Sequence, residues 1–486
     1  MPFRWFPASA AAQLDLLDIE RIVAAAERIF RTVPWTIDGP EEFMDQLRQF
    51  GCEVEGRKVR FTAGAADQTL QLIREYREKN KAKQMAAGEK KAAAPQVTAF
   101  THGQAMWCAD PITNTLRPAT KKDLAEWCRV VNNISEIVDR THPTFLPQDA
   151  PPGTREFHAF VTILLNSDKP YRVSAYSKAI LKYWVEALTI YYGTRAKAIE
   201  NIGCPAKVWV NTPFTICREV IEAAMELRRL TGKPLAIGSI PCAGIATPVT
   251  PAGALALTTA EVLGMNAIAL AVDGKVLGWS ASPICFDFKS GIHTEWGPET
   301  ILLQTAVSHI AAYLFGTIPR VQATSMVAAQ VPGEQSMAER AFGFGMAFLG
   351  GVRRFGVGCL AFSDVASLVQ LMLDMELVSA MNKLAEGFTV DAETLAEELI
   401  KEVAPKGADF AATDHTLRHF RQVQWFPELM DRRLATAYMK DPLTMLERAK
   451  SKALHLREKA PNLCPLDEEQ KEELTKLLAV ADRELG

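Results

Sequence analysis

The residues with chemistry to offer sit at the ends of short apolar runs. After the run near 97–106 come His102, Gln104 and Trp107. Thr141, His142 and Phe145 follow the next run, and Tyr176 the third. Asn211 and Phe214 close the fourth, Ser239 and Cys242 the fifth, and Phe286, Asp287 and Phe288 the sixth. Ser325 and Gln330 follow the seventh, and Phe362 and Asp364 the eighth. Aromatic rings gathered at one mouth suit a methylated ammonium, a cation that cannot donate hydrogen bonds and is held by ring faces. Trp107, Tyr176, Phe214 and Phe286 are the candidate walls. His102 and Asn211, with the backbone N–H groups of 247–250, are candidate donors to a carboxylate tail. Any single ring at a strand end more often fills the top of a core; the expectation is that at least two of the group line a pocket.

Other patterns carry less. His415 and His419 stand at i and i+4 on one helix face, a spacing that binds zinc when a third ligand joins them. None is marked here, and the expectation is no bound metal. Lys289 follows a strand, as a Schiff-base lysine can, but a solvated lysine is the favoured reading. The glycines of 342–351 lack the dinucleotide-binding spacing, and neither a Walker loop nor a nucleophile elbow occurs.

These residues need a scaffold that repeats strand and helix. Eight candidate strands are read at 97–106, 137–143, 171–175, 207–211, 235–240, 280–286, 321–326 and 355–360. Helices fall between them at 154–166, 177–191, 215–231, 251–272 and 298–315. Such alternation predicts an α/β fold, a closed parallel (β/α)8 TIM-type barrel, with an open doubly wound sheet as runner-up. The catalytic mouth of a barrel lies at the strand C-termini. Residues 1–95 read as an N-terminal helical cap with a small hairpin turning at Glu55-Gly56, the stretch from Lys81 to Pro95 being a connector or frayed helix. Residues 96–375 read as the barrel, and 376–486 as a C-terminal helical region packing on it.

With 48% hydrophobic and 23% charged residues, the 486-residue chain can bury a large core. A net charge of −3 without a basic stripe argues against a nucleic-acid partner. Nine cysteines without a Cys-x-x-Cys pair read as reduced thiols. The most apolar helix is read at 301–315, too short for a bilayer, and the expectation is a cytoplasmic protein without membrane contact, forming a homo-oligomer.

The most specific stretch is Pro241-Cys-Ala-Gly-Ile-Ala-Thr-Pro-Val-Thr-Pro-Ala-Gly-Ala254, running into Thr259-Ala-Glu-Val-Leu263. It resembles the central signature of the trimethylamine methyltransferase family. Matching blocks occur in order: Asp110 to Leu124, Pro147 to Pro152, Phe157 to Phe160, Leu165 to Pro170, Phe286 to Gly291, His415 to Arg421 and Trp425 to Arg432. The resemblance covers about residues 96–450 and implies a corrinoid-dependent methyltransferase.

Two departures refine it. Founding members carry pyrrolysine, and this chain is written in ordinary residues, as in the non-pyrrolysine branch similar to glycine betaine and other quaternary-amine methyltransferases. Around the seventh strand, the family's frequent Thr-Asp-Ser-Lys and later Asp-x-Gln are replaced by Ala323-Thr-Ser-Met-Val-Ala-Ala-Gln330. The chemistry agrees with that branch, since a quaternary ammonium already carries a neutral amine leaving group. The enzyme must only hold an N-methyl carbon in line with the cob(I)alamin of a partner corrinoid protein and exclude water. The implied products are a tertiary amine and methylcobalamin. A zinc-dependent methyltransferase for thiols or alcohols and a non-catalytic quaternary-amine binding barrel are the competing readings.

Overall fold

Short strands recur from residue 98 onward in groups of two or three, each group leading into a helix. A computed structural model describes residues 14–88, 96–138, 144–168, 178–202, 206–317, 326–349 and 352–486. The chain is an α/β protein in which two runs of parallel neighbours are formed. In the first, Arg354–Val357 pairs with Thr98–Thr101 in the register Phe355 to Ala99, and Ala99 bridges in parallel to Ile137. In the second, Ala206–Val210 pairs with Leu235–Ser239 in the register Val208 to Ile237, and Ser239 bridges to Ala281. The expected eighth strand therefore lies beside the first. The expected strand at 171–175, most of that at 321–326, and 139–143 of the second fall outside the described residues.

The expected helices form at Arg155–Leu164, Lys178–Tyr192, Arg218–Thr231, Pro251–Asp273 and Pro298–Phe315. Their ends follow local chemistry. Thr120 and Asp123 form a reciprocal capping box at the start of Lys121–Asn132. Pro251 and Pro298 occupy first turns, where a missing N–H costs nothing. Gly232, Gly274 and Gly316 end three helices in the left-handed conformation.

Several expectations are corrected. The first strand is shorter than 97–106, because Gly103 turns the chain at φ +90°. Residues Thr215–Ile216 are strand rather than helix, pairing in parallel with Trp35–Ile37. The helix that starts at Ala63 runs on to Gly88, so 81–88 is neither connector nor fray. Within the C-terminal helical region, a φ of +50° at Ala396 separates the short helices Ala392–Leu395 and Glu397–Val403. Among the described residues one helix, Pro251–Asp273, is long and apolar enough to cross a bilayer, and 83% of its most apolar window is buried inside the fold. It is a core helix, carrying Glu261 and Asn266 within its buried surface.

The N-terminal hairpin Cys52–Glu55/Lys58–Phe61 extends through Trp35–Ile37 to Thr215–Ile216, one four-stranded sheet. Trp35 is fully buried, and a Cβ on Gly264 of the core helix would lie 2.4 Å from its indole. The last helix, Glu468–Leu485, docks by His158 Nε2 to Asp482 at 3.0 Å and by the Tyr183 hydroxyl to Glu484 at 2.5 Å. Asn382 both donates to and accepts from the backbone of Val97, fixing the start of the first strand.

Candidate active site

The C-terminal ends of the parallel strands carry a connected set of polar and aromatic side chains. At the first strand, His102 is nearly buried, its Nδ1 lying 3.3 Å from the Ser363 hydroxyl. Its carbonyl accepts from the Cys359 thiol at 2.9 Å. Ser363 belongs to a turn after the eighth strand in which Ala361, Phe362 and Ser363 all take positive φ, an unusual run for non-glycine residues. Backbone N–H groups of Ala361 and Phe362 donate to the Ala329 and Val327 carbonyls, which hold that turn. Gly103 faces it so closely that a Cβ would meet Ser363 at 2.9 Å.

A buried ion pair lies beneath. Arg340 Nε sits 3.0 Å from Asp374, both side chains fully enclosed, and Arg340 Nη2 donates to the Cys359 carbonyl at 2.5 Å. Asp374 also accepts from the Gly358 N–H and the Gln370 amide. Burial pushes the Asp374 carboxyl up, and the Arg340 charge with these donors pulls against it.

Phe362 carries the network onward, its ring 5.8 Å from that of His293. His293 lies on Ile292–Thr294, hairpin partner of Ile284–Asp287 at the end of the sixth strand. Its Nε2 is 3.7 Å from Glu295. Both border a cleft of about 590 Å³ lined also by Ile240, Cys242, Ile245, Ile284 and Phe286. Glu295 is the acidic side chain of that lining, and burial pushes its carboxyl up to about 7. Phe286 supplies an aromatic wall, with Phe288 edge-on to it at 5.1 Å. Around the opening Ile240, Ile245, Val249, Phe288 and Ile292 are exposed, an apolar rim. Burial raises the Cys242 thiol to about 11 and also raises that of Cys285, so both stay protonated near neutral pH.

The residues expected at the mouth are only partly brought together. Phe286 lines the cleft, and His102 joins it through Ser363, Phe362 and His293. Phe214 instead is buried with its ring 5.5 Å from Trp35. Its N–H and the Thr212 hydroxyl donate to Glu261 at 2.9 Å, so the core helix fixes the loop after the fourth strand. Trp107 is half-exposed on a separate small sheet, paired with Val365 and Pro118. Asn211 exchanges backbone hydrogen bonds with Thr215, and its amide lies 3.2 Å from the Cys217 sulfur. Tyr176 lies outside the described residues. The Thr247 N–H is engaged by the Cys242 carbonyl at 3.1 Å and so is not open to a ligand.

His415 and His419 sit away from the strand ends, both directed at Glu393: His415 at its carbonyl, 3.3 Å, and His419 at its carboxylate, 3.2 Å. Among the described residues no three His, Cys, Asp or Glu side chains are grouped as metal ligands.

The sequence reading missed Glu295, His293, Ser363 and Glu261. A signal existed for the first two, a histidine on a short strand and a carboxylate two residues on, just past its end, a spacing that puts both on one face of extended chain. Glu261 announced itself as the carboxylate in the middle of a largely apolar helix, the other, Asp273, standing at its end.

The profile of the trimethylamine methyltransferase (MTTB) family matches residues 7–486. The chain belongs to that family. It is 26% identical over 332 residues to a trimethylamine methyltransferase of Desulfitobacterium hafniense, covering 68% of this chain and 66% of that protein. A trimethylamine methyltransferase of Methanosarcina thermophila is 29% identical over 321 residues, 64% of each chain. A glycine betaine methyltransferase of D. hafniense is 26% identical over 349 residues, 70% of this chain and 71% of that protein. The chain thus spans just under two thirds of the length of these two trimethylamine methyltransferases.

Proposed function

We propose that this protein is a methyltransferase that moves a methyl group from a small quaternary amine, glycine betaine or a related betaine, to the cob(I)alamin of a partner corrinoid protein. The observation that carries the reading is the cleft at the end of the sixth strand, where an aromatic wall, Phe286, and one carboxyl, Glu295, share a lining with isoleucines, Cys242 and His293. A trimethylammonium head needs that combination: ring faces, a counter-charge and no hydrogen-bond acceptors wasted on it. Its presence lowers the carboxyl's proton affinity, so the bound state is ammonium with ionised Glu295. His293 beside Glu295 is the nearest candidate donor to a betaine carboxylate, and His102, held by Ser363, borders the same network.

Transfer needs little else from this chain. The donor carries its own leaving group, so the residues orient one N-methyl carbon toward the opening and keep water away. The reduced cobalt of the corrinoid supplies the nucleophile. The apolar rim of Ile240, Ile245, Val249, Phe288 and Ile292 fits a protein face closing over the cleft.

The architecture in this reading is a closed (β/α)8 barrel over 96–375, with 1–95 as cap and 376–486 as helical addition, in a cytoplasmic homo-oligomer. Its support is the parallel pairing of the last strand with the first, which closure requires and an open sheet lacks. The reading is tested by mixing the purified protein, cob(I)alamin and each candidate amine, and following the absorbance change to methylcobalamin. Turnover with glycine betaine and none with trimethylamine is expected; the reverse order overturns the donor assignment.

A further inference from the structure

The turn after the eighth strand takes a conformation that burial does not explain. Ala361, Phe362 and Ser363 stand at φ +45°, +54° and +75°, left-handed residues in succession and none of them a glycine. Side chains avoid that region, which glycine enters freely. Phe214 also has a positive φ, +51°, but its ring is buried against Trp35, and packing accounts for it. The Phe362 ring instead stays partly open to solvent, 5.8 Å from that of His293. What the strained turn achieves is the direction of that ring, and strain kept for such an end marks a functional position.

The direction matters because of the neighbours. His293 is the cross-strand partner of Phe286 in the hairpin of the sixth strand, so their rings stand on one face. Phe286, His293 and Phe362 therefore form a row that leads from the cleft wall, past the imidazole beside Glu295, to a second phenyl ring. A trimethylammonium head is broad enough to touch more than one ring face, and each contact adds to its binding.

One buried carboxylate clamps the turn. Glu339, 4% exposed on helix Glu334–Leu349, accepts the N–H groups of Ala328 and Ala329 at 2.7 and 3.1 Å. The Gln335 amide orients it, donating to its other oxygen at 2.7 Å. The carbonyls of Val327 and Ala329 then take the N–H groups of Phe362 and Ala361, both at 2.9 Å. Val327, Ala329, Leu360 and Ala361 share a small core of their own with Ala109 and Val365. Glu339 also reaches the other wall, since Trp296, next to Glu295, donates its indole N–H to the Glu339 carbonyl at 3.0 Å. One residue thus holds the turn by its side chain and the hairpin by its backbone.

We propose that Phe362 is a second aromatic wall of the donor site, and that Glu339 is the positioning residue that sets it through the left-handed turn. This rests on the reading of the cleft as a quaternary-ammonium site. Titration calorimetry of the full chain with glycine betaine tests it. Phe362→Leu should weaken binding about two- to thirtyfold, and Phe362→Tyr, which keeps the ring, should restore it. Phe362→Gly should lose the same affinity while melting at or above the wild-type temperature, because glycine relieves the strain. Glu339→Gln should weaken binding too, with faster amide exchange at Ala328, Ala329, Ala361 and Phe362. Combined with Phe362→Leu it should bind no worse than Phe362→Leu alone, since both act through one ring. Gln335→Ala, a milder change at the same carboxylate, should give a smaller shift in the same direction and serves if Glu339→Gln folds poorly. A wild-type chain that binds and demethylates glycine betaine while Phe362→Leu binds it equally well would overturn the proposal and leave the cleft reading standing. Effects of Glu339→Gln and Phe362→Leu that simply add would overturn the positioning role. No methyl transfer from any quaternary amine by the wild type would overturn the proposal and the cleft reading together.

Discussion

Replacing Glu295 by glutamine should change stability and donor binding in opposite directions. The carboxyl is raised from 4.5 to about 7 by burial, and about 2.5 units at 1.36 kcal/mol each is roughly 3 kcal/mol. Below 4.5 both folded and unfolded chains hold the proton, and the group is neutral in the balance. As pH rises toward 7, the unfolded chain ionises freely while the folded one resists, so the wild type loses up to about 3 kcal/mol over that window. Glu295→Gln removes the loss, and its thermal midpoint should exceed the wild type's at pH 8 while matching it at pH 4.5. Binding runs the other way. An ammonium about 5 Å from the ionised carboxylate, at an effective dielectric of about 20, gains roughly 3 kcal/mol. The donor's own carboxylate reduces this, leaving an increase in KM of roughly ten- to a hundredfold for the glutamine variant at pH 8. In the wild type, about a tenth of Glu295 is ionised at one pH unit below its pKa, so KM should fall about tenfold between pH 6 and 8. Initial rates of cobalamin methylation across that range, with thermal melts of both proteins, measure all three. A wild-type KM flat with pH and equal to that of Glu295→Gln would refute the counter-ion role.

Phe286→Ala should raise the donor KM about two- to thirtyfold with an unchanged melting point, since a cation–π contact is worth about 0.5–2 kcal/mol; titration calorimetry with the betaine checks it. Gly264→Ala puts a methyl 2.4 Å from the Trp35 indole, and denaturant melts should show a loss of roughly 1–3 kcal/mol from overpacking. Arg340→Met leaves Asp374 buried without its cation, costing about 3–5 kcal/mol by the same melts, and adding Asp374→Leu should recover much of it.

Strand and helix order was legible because burial leaves a periodic trace. The strands at 206–210 and 235–239 and the helices after them, Arg218–Thr231 and Pro251–Asp273, stand within a few residues of the pattern. The core helix 251–273 is legible as a helix, but its depth is not: a run of Ala, Leu, Val and Ile reads the same in a bilayer and in a core. The site was legible only as an end of the sheet. Phe214 and Phe286 both follow strands and look alike in sequence, yet Trp35 approaches from far along the chain and takes up one ring while the other meets a cleft. Glu295 was overlooked because its meaning comes from burial, and the left-handed turn at 361–363 because no glycine marks it. Residues Thr215–Ile216 looked helical because the strand they pair with, Trp35–Ile37, lies about 180 residues earlier. Long-range pairing of that kind overrides local propensity.

The central claim is that this cleft holds a quaternary ammonium for methyl transfer to a reduced corrinoid. The most direct measurement is single-turnover absorbance of cob(I)alamin mixed with the protein and glycine betaine bearing deuterated N-methyl groups, with mass analysis of the products. Methylcobalamin carrying the label and one equivalent of the tertiary amine are expected. Loss of cob(I)alamin without labelled methylcobalamin, or transfer only from a tertiary amine, thiol or alcohol, would contradict it.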